Sequence, residues 1–334
     1  MDYLLLRSPS ANRVYTTEAG RLAAAELGVT APFADDVAPV SVAGVDYLGF
    51  SSEALDEDAT RVIASQSTAL ALFERTGELL RPVALPGVDV LDDDLVTIPK
   101  YQGKTNEQFT RLLLNVTLAA VRRPEEGPRQ VLDPLCGRGT TLSTAWLVGA
   151  DGYGVEADER AFEALAAFIT TWLRRKRLKH RAETTPVRRD GRSVGRRFDA
   201  EVTTAVGRRK LTVFTGDTRS SGELYGRKRF DAIVTDAPYG VVHGSATDVR
   251  GAFGKRDRSP AGLLDASLPV WAGQLKRGGA LGVSWNTYGL TRESLAELMT
   301  ASGLEVMSGG PWEEFGHRVD SSIRRDLMVG VLPQ

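Results

Sequence analysis

The chain has 334 residues, 42% hydrophobic and 25% charged, and a formal net charge of −1, a composition that suits a soluble globular protein long enough for two cores. No run of 18 or more apolar residues occurs, so neither a spanning helix nor a membrane partner is expected. A single cysteine, Cys136, excludes an internal disulfide framework, and with only three scattered histidines it argues against a zinc site, so no metal is expected.

The opening stretch Met1–Arg7 carries an acid where a secretory signal wants cations, so the expected location is the cytoplasm. Residues 3–6 read as a strand. Residues 17–27 read as a helix, with Thr17 as N-cap and Gly28 as its stop. Residues 40–42 and 47–50 read as short strands. Residues 55–80 are mostly helical in period, with Ile63, Leu70 and Phe73 as core contacts. A stretch rich in Pro, Gly and acids marks a linker at 82–98. The expected domains are therefore an α+β unit over 1–98 and a second domain over 99–334.

From Lys100 the pattern becomes strand–helix alternation. Phe109, Leu112, Leu113, Val116 and Ala120 share one helical face. Strands are expected at 130–133, 152–156, 211–215, 232–236, 280–285 and 327–332, with helices at 139–148 and 160–178. Apolar strands alternating with helices predict an α/β fold, a parallel sheet covered on both faces.

Four motifs fall at the ends of these strands. The first is Val131-Leu132-Asp133-Pro134-Leu135-Cys136-Gly137-Arg138-Gly139-Thr140, a strand running through a Gly-containing turn into a helix. That is where a nucleotide-like ligand sits on a doubly wound sheet. The spacing fits neither a P-loop nor GxGxxG. Asp133 would repel a pyrophosphate and suit a cationic ammonium, which favours S-adenosylmethionine over a dinucleotide. In the second, Glu156 ends the next strand, where an acid can accept both ribose hydroxyls, and Asp158 caps the following helix. In the third, Thr215-Gly216-Asp217-Thr218, Asp217 could accept an adenine amino group; a plain surface turn is the alternative. The fourth is Asp236-Ala237-Pro238-Tyr239-Gly240. A base amino group is a poor nucleophile until acceptors on its N–H bonds shift its lone pair outward. Asp236 and a backbone carbonyl held by Pro238 can supply both acceptors, and Tyr239 can stack on a base turned into the pocket.

In this order, the four motifs resemble the RNA methylase family of guanosine 2-amino methyltransferases, which act on tRNA and rRNA. The family's first motif, Asp-Pro-x-Cys-Gly-x-Gly-Thr, is matched at every defined position from Asp133 through Pro134, Cys136, Gly137, Gly139 and Thr140. Lys104-Thr105-Asn106-Glu107 is similar to the family's lead-in to the methionine pocket, which puts Thr105 and Asn106 among the cofactor-binding residues. The resemblance spans about 100–334 and implies a Rossmann-like seven-stranded sheet with its last strand antiparallel, S-adenosylmethionine as cofactor, and RNA, in particular tRNA, as partner. It implies no oligomeric state. The chain departs from the pattern at Ala237, where the family has a second proline.

Charge is distributed unevenly. Residues 1–100 hold 7 Lys/Arg against 16 Asp/Glu, and residues 174–210 hold 14 against 4. The 61 positions from Glu156 to Asp217 exceed what one helix of about 20 residues and two short loops need. The excess reads as a basic insertion. As a phosphate-contacting loop it would use Arg188, Arg189, Arg196 and Arg197; a solvated charged face is the bland alternative. Lys255 and Arg256 mark a second substrate loop, and Arg318, Arg324 and Arg325 are weaker phosphate candidates. The competing readings are a DNA adenine or cytosine amino-methyltransferase, a non-catalytic module that holds S-adenosylmethionine or RNA, and a small-molecule methyltransferase.

Overall fold

Two sheets organise the chain, seen in a computed structural model that describes residues 1–10, 13–101, 103–124, 126–189, 192–238 and 260–334. The first sheet comes from β1 (Asp2–Arg7), β2 (Asp35–Val42), β3 (Val45–Ser51), β4 (Ala69–Thr76) and β5 (Leu79–Val83), with helices α1 (Arg13–Thr30) and α2 (Glu57–Ser65). Its order is β2-β3-β1-β4-β5, antiparallel throughout.

This unit corrects two expectations. Helix α1 begins at Arg13, so Thr17 lies inside it and is not its cap. Only Glu57–Ser65 of the expected 55–80 helix is helical; the rest is the β4–β5 hairpin. Gly77, at φ +61°, leads its two-residue turn, a Gly-first connection that matches the twist of paired strands. Ile63 is buried as expected, but Leu72 takes the core position beside it, Leu70 is 57% exposed and Phe73 is half-buried.

The second part contains α3 (Asp94–Thr97), α4 (Glu107–Ala119), β6 (Gln130–Asp133), α5 (Thr140–Leu147), β7 (Asp151–Glu156), α6 (Glu159–Arg175), β8 (His180–Arg189), β9 (Arg192–Thr204), β10 (Gly207–Thr215), α7 (Ser221–Tyr225), β11 (Phe230–Asp236), α8 (Pro260–Ala272), β12 (Leu275–Asn286), α9 (Arg292–Ala301), β13 (Glu305–Val306), β14 (His317–Arg318) and β15 (Arg324–Val331). The strand order is β13-β15-β12-β11-β6-β7-β10-β9-β8, with β14 on β15. Strands β12, β11, β6, β7 and β10 are parallel, while β15 runs antiparallel to β12 and to β13. The seven strands from β13 to β10 form a Rossmann-like sheet. The chain winds outward from β6 in one direction and from β11 in the other, so the switch point lies between the carboxyl ends of β6 and β11, where such sheets bind ligands.

The basic insertion is not a loop. Strands β8 (His180–Arg189) and β9 (Arg192–Thr204) pair as a hairpin that extends the sheet antiparallel from β10. One of its faces buries Phe198, Ala200 and Val202 against α6 residues such as Leu165 and Trp172.

The two sheets share α1. Ala23 and Leu27 of α1 pack into the small sheet, while Ala19, Leu22 and Ala25 pack against Phe109, Leu112 and Val116 of α4. Glu26 is fully buried at this junction. Its carboxylate accepts from the Ser67 amide at 3.0 Å, from the Ser67 hydroxyl and from Asn115 Nδ2 at 2.7 Å. Burial still raises its pKa, because three donors only partly offset desolvation of a charge. The expected linker also packs: Val90 N–H bonds the Leu147 carbonyl at 2.8 Å, and Leu95 is buried among Trp146, Leu165 and Trp172. Among the described residues no helix is long and apolar enough to cross a membrane.

Candidate active site

The first motif forms the expected strand–turn–helix. Gly137 and Gly139 hold φ of +51° and +81°, values that side-chain-bearing residues rarely adopt. A Cβ built on Gly137 would meet nothing within 4 Å, whereas one on Gly139 would lie 2.6 Å from Leu165 Cδ1. Gly137 therefore leaves open space beside the turn, and Gly139 lets α6 pack against it. Cys136 is buried, and burial pushes its thiol pKa up, which makes it a packing residue and not a nucleophile. Pro134 precedes it in the turn. Thr140 opens α5 and shares a hydrogen bond of 2.7 Å with Tyr101, whose ring lies under the Arg138 guanidinium at 5.0 Å. Tyr101 has no motif signature in the sequence.

Two acids frame the turn. Glu156, at the end of β7, accepts from Gly137 N–H and Asp158 N–H, each at 2.7 Å. The Ala157 N–H also acts on this carboxylate, and burial still raises its pKa. Asp158 caps α6 through Ala161 N–H at 2.8 Å, as expected. Asp133 is only 3% exposed and lies beneath the turn. Its Oδ1 accepts from Leu135 N–H at 3.1 Å and from the Thr235 hydroxyl at 2.8 Å, and burial pushes its pKa to about 7.

At the end of β10, Asp217 faces Arg219. The guanidinium grips both carboxylate oxygens, at 3.0 and 2.6 Å, and the Arg219 N–H adds a bond of 2.8 Å. These contacts lower the Asp217 pKa, so this acid is ionised and already paired.

Asp236 ends β11, one residue beyond the Thr235 that bonds Asp133. Its Oδ2 accepts from the Thr105 hydroxyl at 2.5 Å and its Oδ1 from the Ser284 hydroxyl at 2.8 Å. Arg325, 6% exposed, lies 3.9 Å from Oδ2 and 4.6 Å from the Phe109 ring centre. Three segments thus converge on one carboxylate: the lead-in to α4, the end of β12 and the start of β15. Thr105 meets the fourth motif here. Its neighbour Asn106 caps α4, accepting from Gln108 and Phe109 N–H, while its amide donates to Ser10 at 3.1 Å. Ala237 is buried, and its N–H bonds the Ser284 carbonyl at 2.8 Å, which fixes the turn without a second proline. Pro238 is exposed. Tyr239, Lys255 and Arg256 lie outside the described residues.

The nucleic-acid candidates separate by position. Arg196 bonds Glu163 at 2.9 Å and lies over Phe162 at 5.1 Å. Arg197 pairs with Asp199 at 2.7 Å and lies over Phe214 at 5.4 Å. Both belong to the ladder, level with the end of β10. Arg188 is exposed near the hairpin end, where Arg189 and Arg192 are register partners. From Arg196 to Arg192 the hairpin runs about 13 Å past the carboxyl end of β10, at about 3.3 Å per residue. Arg325 corrects its sequence reading: it is buried toward Asp236 and presents no surface to a phosphate.

No family model matches the chain, and no curated protein matches it. Among solved structures it is similar to TrmN from Thermus thermophilus, at 15% identity over 69% of this chain and 50% of that one, with a TM-score of 0.42. It is similar to a methyltransferase from Pyrococcus furiosus, at 13% identity over 70% and 88%, with a TM-score of 0.42. It is also similar to the Methanococcus jannaschii fibrillarin pre-rRNA processing protein, at 10% identity over 90% and 84%, with a TM-score of 0.37. The chain spans about half the length of the TrmN chain.

Proposed function

We propose that this chain is an S-adenosylmethionine-dependent RNA methyltransferase acting in the cytoplasm on the exocyclic 2-amino group of a guanosine in tRNA. The observation that carries the reading is Asp236, anchored at the sheet's switch point by Thr105 and Ser284 and bordered by Arg325. S-adenosylmethionine supplies an electrophilic methyl group when bound. The open space at Gly137 and the Glu156 carboxylate beside it fit its methionine and ribose parts, and Asp217 takes the adenine amino group in exchange for part of its grip on Arg219. Asp133 supports the turn from beneath, and Thr140 and Asn106 hold the segments on either side.

Asp236 and the Ala237 carbonyl accept the two N–H bonds of the target amine, which turns its lone pair toward the incoming carbon. As the nitrogen gains carbon it gives up one proton, and Asp236 is the acceptor in place. Because the carboxylate is already held from two sides, most of its contribution is positioning. Tyr239 stacks on the base. The exposed arginines of the β8–β9 hairpin, with Lys255 and Arg256, meet RNA phosphates, and the unit over 1–98 positions the RNA.

The test is to incubate the protein with labelled methyl donor and, in parallel, total tRNA, rRNA, DNA and nucleosides. The modified nucleoside is then identified by mass spectrometry. Label should appear in tRNA as N2-methylguanosine, and Asp236→Ala should abolish it while S-adenosylhomocysteine binding stays near normal. Label in DNA, or in nucleosides alone, would replace RNA as substrate; a fully active Asp236→Ala variant would remove the mechanism.

A further inference from the structure

Arg318 and Arg324 stand directly opposite each other where β14 pairs with β15. Both side chains are exposed, and like charges in that register repel. Arg318 directs its Nε to the Asp320 carbonyl at 3.1 Å. Among the described residues neither guanidinium has a carboxylate within ion-pair distance.

The other charges in the cavity of about 870 Å³ that they line are largely matched. Arg21 pairs with Glu18 and Glu314, and Arg292 pairs with Asp326. The Glu313 carboxylate accepts from Gly309 N–H at 3.0 Å. Among the described residues the two opposed arginines are thus the cations of this cavity without an acid in direct contact, Arg324 acting on Asp326 only at longer range.

Their position is tied to Asp236. Thr287 N–H bonds the Arg324 carbonyl at 2.8 Å, and Asn286 Oδ1 accepts from both Arg324 N–H and Tyr288 N–H at 3.2 Å. Thr287 follows Ser284, the donor to Asp236, by three residues, or about 10 Å of extended chain. At this corner the Tyr288 ring is 64% exposed, a flat surface that any base can stack on.

We infer that Arg318, Arg324 and Tyr288 form a second contact site for RNA, in which both guanidiniums bind backbone phosphates flanking the target nucleotide and Tyr288 stacks on a neighbouring base. A bound phosphodiester relieves the repulsion between the opposed arginines, and the site lies on the β12–β15 side of Asp236, whereas Gly137 and Glu156 lie on the β6–β7 side. The inference rests on the RNA reading above.

The test uses the full chain and a fluorescein-labelled mixed-sequence single-stranded RNA, with duplex DNA of the same length as comparison. Affinity is followed by anisotropy across several salt concentrations. Arg318→Glu/Arg324→Glu should weaken RNA binding at least tenfold and flatten the salt slope by about 1.4, the value for two single-strand phosphates. Arg318→Lys/Arg324→Lys should retain most of the binding, and S-adenosylhomocysteine affinity should be unchanged in both variants, which reports an intact fold. If the intact chain binds RNA and the charge-reversed variant matches it in affinity and slope, the site is overturned and the RNA reading stands. If the intact chain binds only duplex DNA, and the reversal weakens that binding, the phosphate site stands and the RNA reading falls. Binding of neither polymer by the intact chain overturns both.

Discussion

Thr105 donates its hydroxyl to Asp236 across 2.5 Å, joining the lead-in to α4 to the carboxyl end of β11. The family resemblance puts Thr105 in the methionine pocket, whereas this bond makes it a positioning residue for Asp236, the carboxylate proposed to accept from the target amine. Thr105→Val keeps the shape and removes the donor. A hydrogen bond to a charged group contributes about 1.5–3 kcal/mol, so kcat should fall about 10- to 100-fold while S-adenosylhomocysteine affinity stays within about threefold. Thr105→Ser should recover most of the rate. Weakened cofactor binding with an unchanged kcat would return Thr105 to the pocket.

What the sequence discloses of this site follows from locality. Asp133 to Thr140 and the Asp158 cap are written in contiguous residues, because a turn or a cap is decided within about four positions. The Asn106 cap is equally local, though the family resemblance puts Asn106 among the cofactor-binding residues. Partners distant in sequence are not disclosed. Ser284 and Arg325 reach Asp236 only through the β11–β12–β15 order. The burial of Arg325 beside the exposed Arg324 follows from strand alternation, which a search for basic clusters overlooks. The charge asymmetry also has a partly internal cause. Lys176 of the basic block pairs with Asp92 at 2.7 Å and Asp94 at 2.6 Å in the acidic part, so some of the opposed charge is matched within the chain. The helical reading of 55–80 failed because the Gly-first turn at Gly77 outweighs an apolar period that two short strands also satisfy.

The hairpin arginines should divide into two groups. Arg188 and Arg189 lie near the projecting end, whereas Arg196 and Arg197 are engaged with acids and aromatic rings within the ladder. Arg188→Glu/Arg189→Glu should weaken RNA binding and flatten its salt slope with little change in Tm. Arg196→Glu/Arg197→Glu should lower stability by about 1–2 kcal/mol, from two cation–π contacts and two partly screened ion pairs, and leave the salt slope almost intact. Anisotropy and thermal melting on both variants give the comparison. Equal effects on RNA binding would mean that the hairpin acts as one undivided basic surface.

Two buried groups contribute to the pH dependence of stability with opposite signs. Burial raises Asp133 from about 3.8 to about 7. Between those values the folded chain keeps a proton that the unfolded chain has released, so stability from Asp133 is lost as pH rises. The slope is about 1.4 kcal/mol per pH unit. Burial lowers His317 from 6.5 to about 4. Between those values the unfolded chain holds a proton that the folded chain lacks, so stability from His317 is gained as pH rises. The two slopes nearly cancel from about pH 4 to 6.5. Asp133→Asn removes one of them and keeps an Oδ1 acceptor for Leu135 N–H and the Thr235 hydroxyl. Other buried acids, Glu26 and Glu156 among them, are common to both proteins and drop out of the difference. Urea unfolding from pH 5 to 6.5 should therefore show Asp133→Asn gaining stability relative to the parent chain as pH rises. A difference that stays constant across that range would show that Asp133 is already ionised in the folded state, and that the turn over it holds a full negative charge before any cofactor arrives.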